Sequence, residues 1–177
     1  KKDSTGICFI GKRKIKDFLQ NYIETKTGNI VCKETSKILG HHDGTMFYSI
    51  GQRFGLNVGG LAEPIFVCDK DVENNIIYTA PLSLEEKYLF STSCSLKDTN
   101  WIYNKKPSGK LSVKFTHGGD EHECVVNEDD GKIMLSYKHK RAVTPGQACV
   151  IYDGDLCLGM GLVDEVFKDG KKMYGGF

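Results

Sequence analysis

The stretch LSVKFTHGGDEHECVVNEDDGKIMLSYK, residues 111–138, decides the fold. Its first run alternates apolar and polar residues, with the apolar ones at Leu111, Val113 and Phe115. Its last run alternates in the same way, with apolar residues at Ile133, Leu135 and Tyr137. A period of two places these side chains on one face of a β-strand. Glycine and aspartate clusters at 117–120 and 129–131 separate the runs, so the stretch predicts antiparallel strands joined by tight turns.

The same pattern continues on both sides of this stretch. Further turn signals are Pro107-Ser108-Gly109, Pro145-Gly146 and Asp153-Gly154. After the last turn, apolar residues occupy every second position, at Leu156, Leu158, Met160 and Leu162. Short strands at this spacing predict a closed barrel or a sandwich. If Asp153-Gly154 forms a two-residue hairpin turn, Cys149 faces Leu158 and Cys157 faces Val150, so the two sulfurs point to opposite sides of the sheet. Residues 168–177 are expected to form a frayed tail.

The first half of the chain mixes one helix with short strands. Ile15, Phe18, Leu19 and Tyr22 recur at helical spacing and predict an amphipathic helix over about 13–23. Short strands are predicted at 29–32, 36–39, 64–68 and 75–79. Residues 44–61 hold five of the 20 glycines, which indicates a long shaped loop. The fold class is therefore mainly β (α+β).

Composition excludes several classes of protein. The 177 residues are 40% hydrophobic and 27% charged, with a net charge of +1, which argues against a strongly basic nucleic-acid binder. No run of 18 apolar residues predicts a membrane-spanning helix, so no membrane partner is expected. Seven cysteines without a CxxC pair argue against a disulfide framework or a zinc ribbon and favour a reducing compartment. The five histidines show no metal-ligand spacing, and no metal site is expected.

The N-terminal segment 3–13 holds a cysteine between two glycines. Cys8 lies between Gly6 and Gly11, and Lys12 and Arg13 follow. Nearby positive charge lowers a thiol pKa and favours the reactive thiolate. The alternative is a packed, inert thiol among its apolar neighbours. The residues alone leave both interpretations open.

Four ordered segments resemble the tRNA-specific 2-thiouridylases. They are DSTGICFIGKRKIKDFL at 3–19, LGHHDG to GLNVGG at 39–60, EPIFV to ENN at 63–75, and VTPGQ to CLGMG at 143–161. Ordered matches across nearly the whole chain are far more specific than one short motif. The resemblance covers the later half of such an enzyme. The family's N-terminal ATP-binding domain, with its glycine-rich pyrophosphate loop, is expected to lie outside these residues.

The resemblance implies an architecture and a reaction. It implies a catalytic-cysteine loop at 1–12, a small mixed central domain at 13–82, and a translation-factor-like C-terminal β-barrel at 83–177. It also implies a sulfurtransferase that delivers persulfide sulfur, carried on Cys8, to C2 of the ATP-activated wobble uridine of tRNA. ATP with magnesium would bind the N-terminal domain in cis, and the fragment alone would hold no cofactor and be inactive. A persulfide sulfur-donor protein is the further partner.

The expected tRNA contacts lie in three places. The resemblance points to Gln147, in the Thr-Pro-Gly-Gln turn, and to Lys114 with Thr116 and His117, where the family carries an Arg-aromatic-Arg run at 116–118. Arg53 presents its guanidinium to phosphate or a base, or else covers the glycine-rich loop. The expected location is the cytoplasm, with the mitochondrial matrix as the alternative. A non-catalytic RNA-binding β-barrel module is the competing function.

Overall fold

The computed structural model describes Phe18 and residues 21–175, which form eleven strands and a short helix, α1 (Glu85–Leu89). The strands of the first half are β1 (Gly28–Cys32), β2 (Ile38–His42), β3 (Ile65–Asp71) and β4 (Ile76–Pro81). Those of the second half are β5 (Phe90–Trp101), β6 (Gly109–Lys114), β7 (His122–Asp129), β8 (Lys132–Arg141), β9 (Ala148–Asp153), β10 (Leu156–Lys168) and β11 (Lys171–Lys172). Short 3-10 turns precede β3 at Thr45–Phe47 and α1 at Leu82–Leu84. Most of the helix predicted over 13–23 lies outside the described residues.

The first four strands form one mixed sheet in the order β2-β1-β4-β3. β1 and β4 are parallel, and the other two pairs are antiparallel. The sheet buries Ile30, Phe66 and Ile77, all fully shielded from solvent. The predicted short strands of this half are confirmed, and 43–64 forms the long loop that the glycines indicated.

The second half closes into a six-stranded barrel. Around the ring, β5 pairs with β8, β8 with β7, β7 with β6, β6 with β9, β9 with β10, and β10 with β5, all antiparallel. The alternating residues point inward as predicted: Val113, Leu135 and Ile151 are fully buried. Closure removes the exposed strand edges that an open sheet would leave. The predicted fold class, mainly β with a small mixed part and a C-terminal barrel, is confirmed.

In β10 the even-numbered apolar residues do not face the barrel interior, whereas the odd-numbered positions from 159 to 163 do. Its inward positions are Gly159, Gly161 and Val163, whereas Leu156 is 48% exposed. A Cβ at Gly159 would lie 2.2 Å from the Asn100 carbonyl oxygen on β5, so the glycine lets the two backbones approach closely. Strand register here follows the room available inside the barrel rather than the hydrophobicity of the side chains.

Two local predictions are wrong. Asp153 pairs with Leu156, so the β9–β10 turn is Gly154-Asp155. Cys149 consequently pairs with Gly161 and Cys157 with Tyr152, and both thiols are free. The C-terminal residues up to 175 are not frayed, because β11 pairs with β10 and Tyr174 is only 3% exposed. The local turn signals misplaced the β9–β10 turn by one residue and missed the pairing of β10 with β11.

The barrel meets the first half of the chain at one end, here called the helix end. It is the end where β5, β7 and β9 begin and β6, β8 and β10 finish. The Ala142 N–H donates to the Leu89 carbonyl of α1 at 2.8 Å, and Arg141 Nε lies 2.6 Å from Glu85 Oε1. Arg141 Nη2 also donates to the Gly51 carbonyl at 3.5 Å. These contacts place the glycine-rich loop beside the helix end.

Candidate nucleic-acid interface

Gln147 closes a tight turn at the helix end. The turn 144–147 has Pro145 at its second position and Gly146, with φ of 82°, at its third, and the Gln147 N–H donates to the Thr144 carbonyl at 3.2 Å. That arrangement is a type II turn, which requires a positive φ at the glycine. The carbonyl of Gln147 accepts from the Val163 N–H at 2.9 Å, so β10 fixes the turn.

The Gln147 side chain reaches across to the end of β6. Its Nε2 donates to the Phe115 carbonyl at 2.7 Å. Its Oε1 is buried and, among the described residues, has no hydrogen-bond partner. A buried amide oxygen without a donor costs free energy. The amide joins the 144–147 turn to the segment that holds two of the predicted contacts.

Those two residues, Thr116 and His117, lie in a turn after β6. Both are exposed, and the Gly119 N–H donates to the Thr116 carbonyl at 3.1 Å. A Cβ at Gly119 would collide with the Thr116 hydroxyl, so the turn is compact. The hydroxyl and the imidazole therefore stand at the surface beside the Gln147 turn.

Lys114 is held by its neighbours on the barrel's outer face. Its Nζ lies 3.4 Å from Glu121 Oε2 and 5.1 Å from the ring centroid of Tyr152. A half-exposed ion pair of this kind contributes roughly 0–1 kcal/mol and leaves the lysine able to exchange partners. Lys114, Thr116, His117 and Gln147 thus form one surface at the helix end.

The structure gives Arg53 no contact with that surface. Arg53 is exposed, with its guanidinium carbon 5.9 Å from the ring centroid of Phe54, itself 83% exposed. The loop is ordered by Gln52, whose Oε1 accepts from the Ser49 N–H at 3.0 Å and whose Nε2 donates to the Phe54 carbonyl at 2.9 Å. A depression of about 460 Å³ is lined by residues of the range 53–65.

Two basic residues that the sequence analysis missed, His122 and Lys140, also lie at the helix end. Lys140 Nζ is 2.6 Å from His122 Nε2, between the end of β8 and the start of β7. The sequence carried a signal, because Lys138-His139-Lys140-Arg141 is the densest basic run of the barrel half. What it could not show is that β7 brings a histidine against that run.

Cys8, the predicted catalytic residue, lies outside the described residues. Of the described cysteines, four are buried, and burial raises the pKa of Cys68 and Cys149 to about 12 and of Cys124 to about 11. Cys32 differs. Burial raises its pKa, but hydrogen bonds from the Thr35 hydroxyl and from the backbone of Thr35 and Glu34 outweigh that effect and bring it below 9.0.

Neither a metal-binding cluster nor a membrane-spanning helix occurs in the described part of the chain. It contains no group of three or more histidine, cysteine, aspartate or glutamate side chains positioned to hold a metal ion. None of its helices is long and apolar enough to cross a membrane.

Comparison with known proteins places the two halves in one family. Residues 16–81 match a family model described as a tRNA methyl transferase PRC-barrel domain, and residues 91–163 match one described as an aminomethyltransferase beta-barrel domain. A tRNA-specific 2-thiouridylase MnmA of Ureaplasma urealyticum is 45% identical over 98% of this chain and 46% of its own length. The corresponding proteins of Geobacillus thermodenitrificans and Mycoplasma capricolum are 45% and 44% identical over 98% and 95% of the chain, and 47% of their own lengths.

The chain spans about half the length of the curated relatives it matches. The two matched regions follow one another in the order of the mixed sheet and the barrel. The alignments cover nearly the whole chain at about 45% identity, and both family models match it in the same order. The chain therefore belongs to the tRNA-specific 2-thiouridylase family over the part of those proteins that it spans.

Proposed function

We propose that the protein acts in the 2-thiolation of uridine in tRNA, as the central and C-terminal part of a tRNA-uridine sulfurtransferase. The observation that carries this proposal is identity of 44–45% to proteins named tRNA-specific 2-thiouridylase over 95–98% of the chain. The surface at the helix end adds a physical reason. It offers lysine, histidine, hydroxyl and amide groups, which are the donors that contact phosphate and sugar in RNA complexes.

The proposed reaction begins with sulfur loading of Cys8. The Cys8 thiolate attacks the outer sulfur of a donor protein's persulfide, and the donor's cysteine leaves as a thiolate. In the acceptor, O2 of the uridine displaces pyrophosphate from ATP, which leaves C2 bonded to an adenylate ester. ATP and its magnesium would bind an N-terminal domain like that of the family. The uridine must turn out of the anticodon stack for C2 to be reached.

Transfer follows when the terminal persulfide sulfur attacks C2. A second cysteine, on the N-terminal domain, attacks Cys8 Sγ and breaks the S–S bond, so the electron pair stays on the sulfur attached to C2. AMP departs with the former O2, and a disulfide joins the two cysteines. A dithiol reductant then restores both thiols. The role of residues 21–175 is to hold the tRNA while this occurs, in the cytoplasm of a bacterial cell.

The test uses the intact protein with Cys8→Ser. The hydroxyl is close in size to the thiol but cannot form a persulfide, so tRNA thiolation should be lost while tRNA affinity stays within about threefold of the parent. Thiolation is measured by mass spectrometry of digested tRNA. A matched control is Cys157→Ser, which removes a half-buried thiol from the barrel.

Full thiolation by the Cys8→Ser protein would remove the sulfur-carrier role. If tRNA is bound but no thiolation occurs even in the parent supplied with ATP and a persulfide donor, the protein is the competing non-catalytic RNA-binding module.

A further inference from the structure

The His122–Lys140 pair at the helix end is an unusual contact between two basic groups. Lys140 Nζ lies 2.6 Å from His122 Nε2, and both side chains are half-buried. The ammonium has only donors, so Nε2 must accept, and the imidazole must be neutral. Lys140 uses one of its three N–H groups in this bond.

The neighbouring basic side chains at this end have carboxylate partners, whereas among the described residues this pair has none. Arg141 pairs with Glu85 at 2.6 Å, His139 with Glu86 at 3.3 Å, and Lys114 with Glu121 at 3.4 Å. Within residues 21–175 no carboxylate lies within ion-pair distance of Lys140 or His122. A half-buried ammonium without a counter-ion keeps a strong local positive potential.

The pair is continuous with the proposed tRNA surface. His122 stands opposite Val113 of β6, two residues before Phe115, whose carbonyl accepts from Gln147. Beneath the pair, the Ser91 hydroxyl contacts the Tyr137 hydroxyl at 2.9 Å and the Lys140 carbonyl at 3.3 Å, which fixes the end of β8. The two basic side chains therefore stand on a rigid rim beside the Gln147 turn.

We propose that His122 and Lys140 together bind a phosphate group, and that this phosphate belongs to the backbone of the tRNA. The assignment rests on the tRNA-binding function proposed above. An oxyanion placed between the two groups accepts from the Lys140 ammonium and from a protonated His122. Two charge-assisted hydrogen bonds to the phosphate then replace the single hydrogen bond between the Lys140 and His122 side chains. The open, rim-like setting suits a nucleic-acid backbone, which lies along a surface.

Phosphate binding at this pair takes up a proton. In the free protein, burial lowers the pKa of His122 below its ordinary 6.5 and the Lys140 ammonium lowers it further, while Asp120 of the preceding turn opposes the shift. Lys114 of β6 and Glu121 of the turn form an ion pair with each other. A bound phosphate raises the pKa of His122, so tRNA affinity strengthens as pH falls from the bound-state pKa towards the lower free-state pKa.

The test measures tRNA affinity of the intact protein from pH 8 to pH 6 at fixed ionic strength. The parent should bind more tightly as pH falls, and His122→Gln should lose that dependence while matching the parent at pH 8. Lys140→Gln should weaken binding about fivefold at 0.15 M salt and lower the salt slope by about 0.9, the effect of one phosphate contact. Controls are His41→Gln and Lys138→Gln, at exposed residues outside the pair, which should keep the parent's pH dependence.

A second measurement identifies the source of the phosphate. NMR titration of the His122 ring should show its pKa rising when tRNA is added. If only inorganic phosphate raises it, the pair is a free-anion site and the RNA assignment is overturned. If the parent binds tRNA, and His122→Gln and Lys140→Gln bind it with the parent's affinity at every pH, this inference is wrong but the proposed function is not. A parent that binds no tRNA at any pH defeats the proposed function, and with it the RNA assignment.

Discussion

His42 offers the sharpest test of how the mixed sheet holds the glycine-rich loop. The side chain is 1% exposed. Its Nδ1 accepts from the Gly44 N–H at 3.0 Å, and its Nε2 lies 3.2 Å from the Asn75 carbonyl, which requires the neutral tautomer with the proton on Nε2. The ring therefore joins the start of the loop to the β3–β4 turn.

Removing the ring leaves the buried Gly44 N–H and the half-buried Asn75 carbonyl without this partner. Each such group costs about 1–3 kcal/mol, so His42→Ala should lower the free energy of unfolding by about 3 kcal/mol. His42→Asn keeps an acceptor near the Nδ1 position, and His42→Gln keeps a donor near the Nε2 position. Each should recover about half of the loss. For a chain of this size the melting temperature should fall by about 6–12 °C in the alanine variant.

The same residue predicts a pH dependence with a definite sign. Burial lowers the pKa of His42 below 6.5, the His41 side chain lowers it further, and the Asn75 hydrogen bond and Asp43 oppose the shift. Below pH 6.5 His42 binds a proton in the unfolded chain but not in the folded state, so the free energy of unfolding falls as pH falls. The loss is up to about 1.4 kcal/mol per pH unit until the folded-state pKa is reached.

Urea denaturation of the parent and His42→Gln between pH 8 and pH 5 measures both effects, and the other histidines cancel in the difference. The parent should lose more stability than His42→Gln on acidification. Equal pH slopes, or a His42→Ala protein within 1 kcal/mol of the parent at pH 8, would refute the reasoning.

Two further predictions concern the thiols and the barrel core. Cys32 should be alkylated far faster than Cys149, because a pKa of about 12 instead of 9.0 lowers the thiolate fraction of Cys149 about a thousandfold. Thr35→Ala should slow the alkylation of Cys32 specifically, since it removes the hydroxyl that bonds the Cys32 thiolate. Comparable alkylation rates in a mass-spectrometric time course would contradict the hydrogen-bond assignment. Leu135→Ala should destabilise the barrel by about 2–5 kcal/mol, since the side chain is fully buried, whereas Met134→Ala on the outer face should cost under about 1 kcal/mol in the same urea assay.

Much of the fold was readable from local pattern. The alternation around Val113 and Leu135 predicted inward-facing strands, and the structure buries both residues fully. Hydrophobic alternation is a sound guide here because a strand with one buried face has a strict period of two. The family resemblance was likewise carried by short segments that need no tertiary information to recognise.

The residues of the candidate site that were named from the sequence do not all come together in the structure. The sequence named Gln147 together with Lys114, Thr116 and His117. The structure brings these four residues to one surface, and RNA contact at them stays a prediction. Arg53 was named with them but lies on a separate loop. Cys8, the centre of the proposed chemistry, lies outside the described residues.

Tertiary structure alone decided the register of β10, the ordering of Tyr174, and the meeting of His122 with Lys140. The deciding contacts join separate strands: β10 pairs with both β9 and β5, β11 pairs with β10, and His122 of β7 meets Lys140 of β8. Period and turn signals describe how a segment folds locally, whereas barrel closure selects which strands become neighbours. The sequence by itself determined the strands, most of their inward faces and the family. Closure of the ring determined which basic groups share a rim, because that depends on the stagger of all six strands at once.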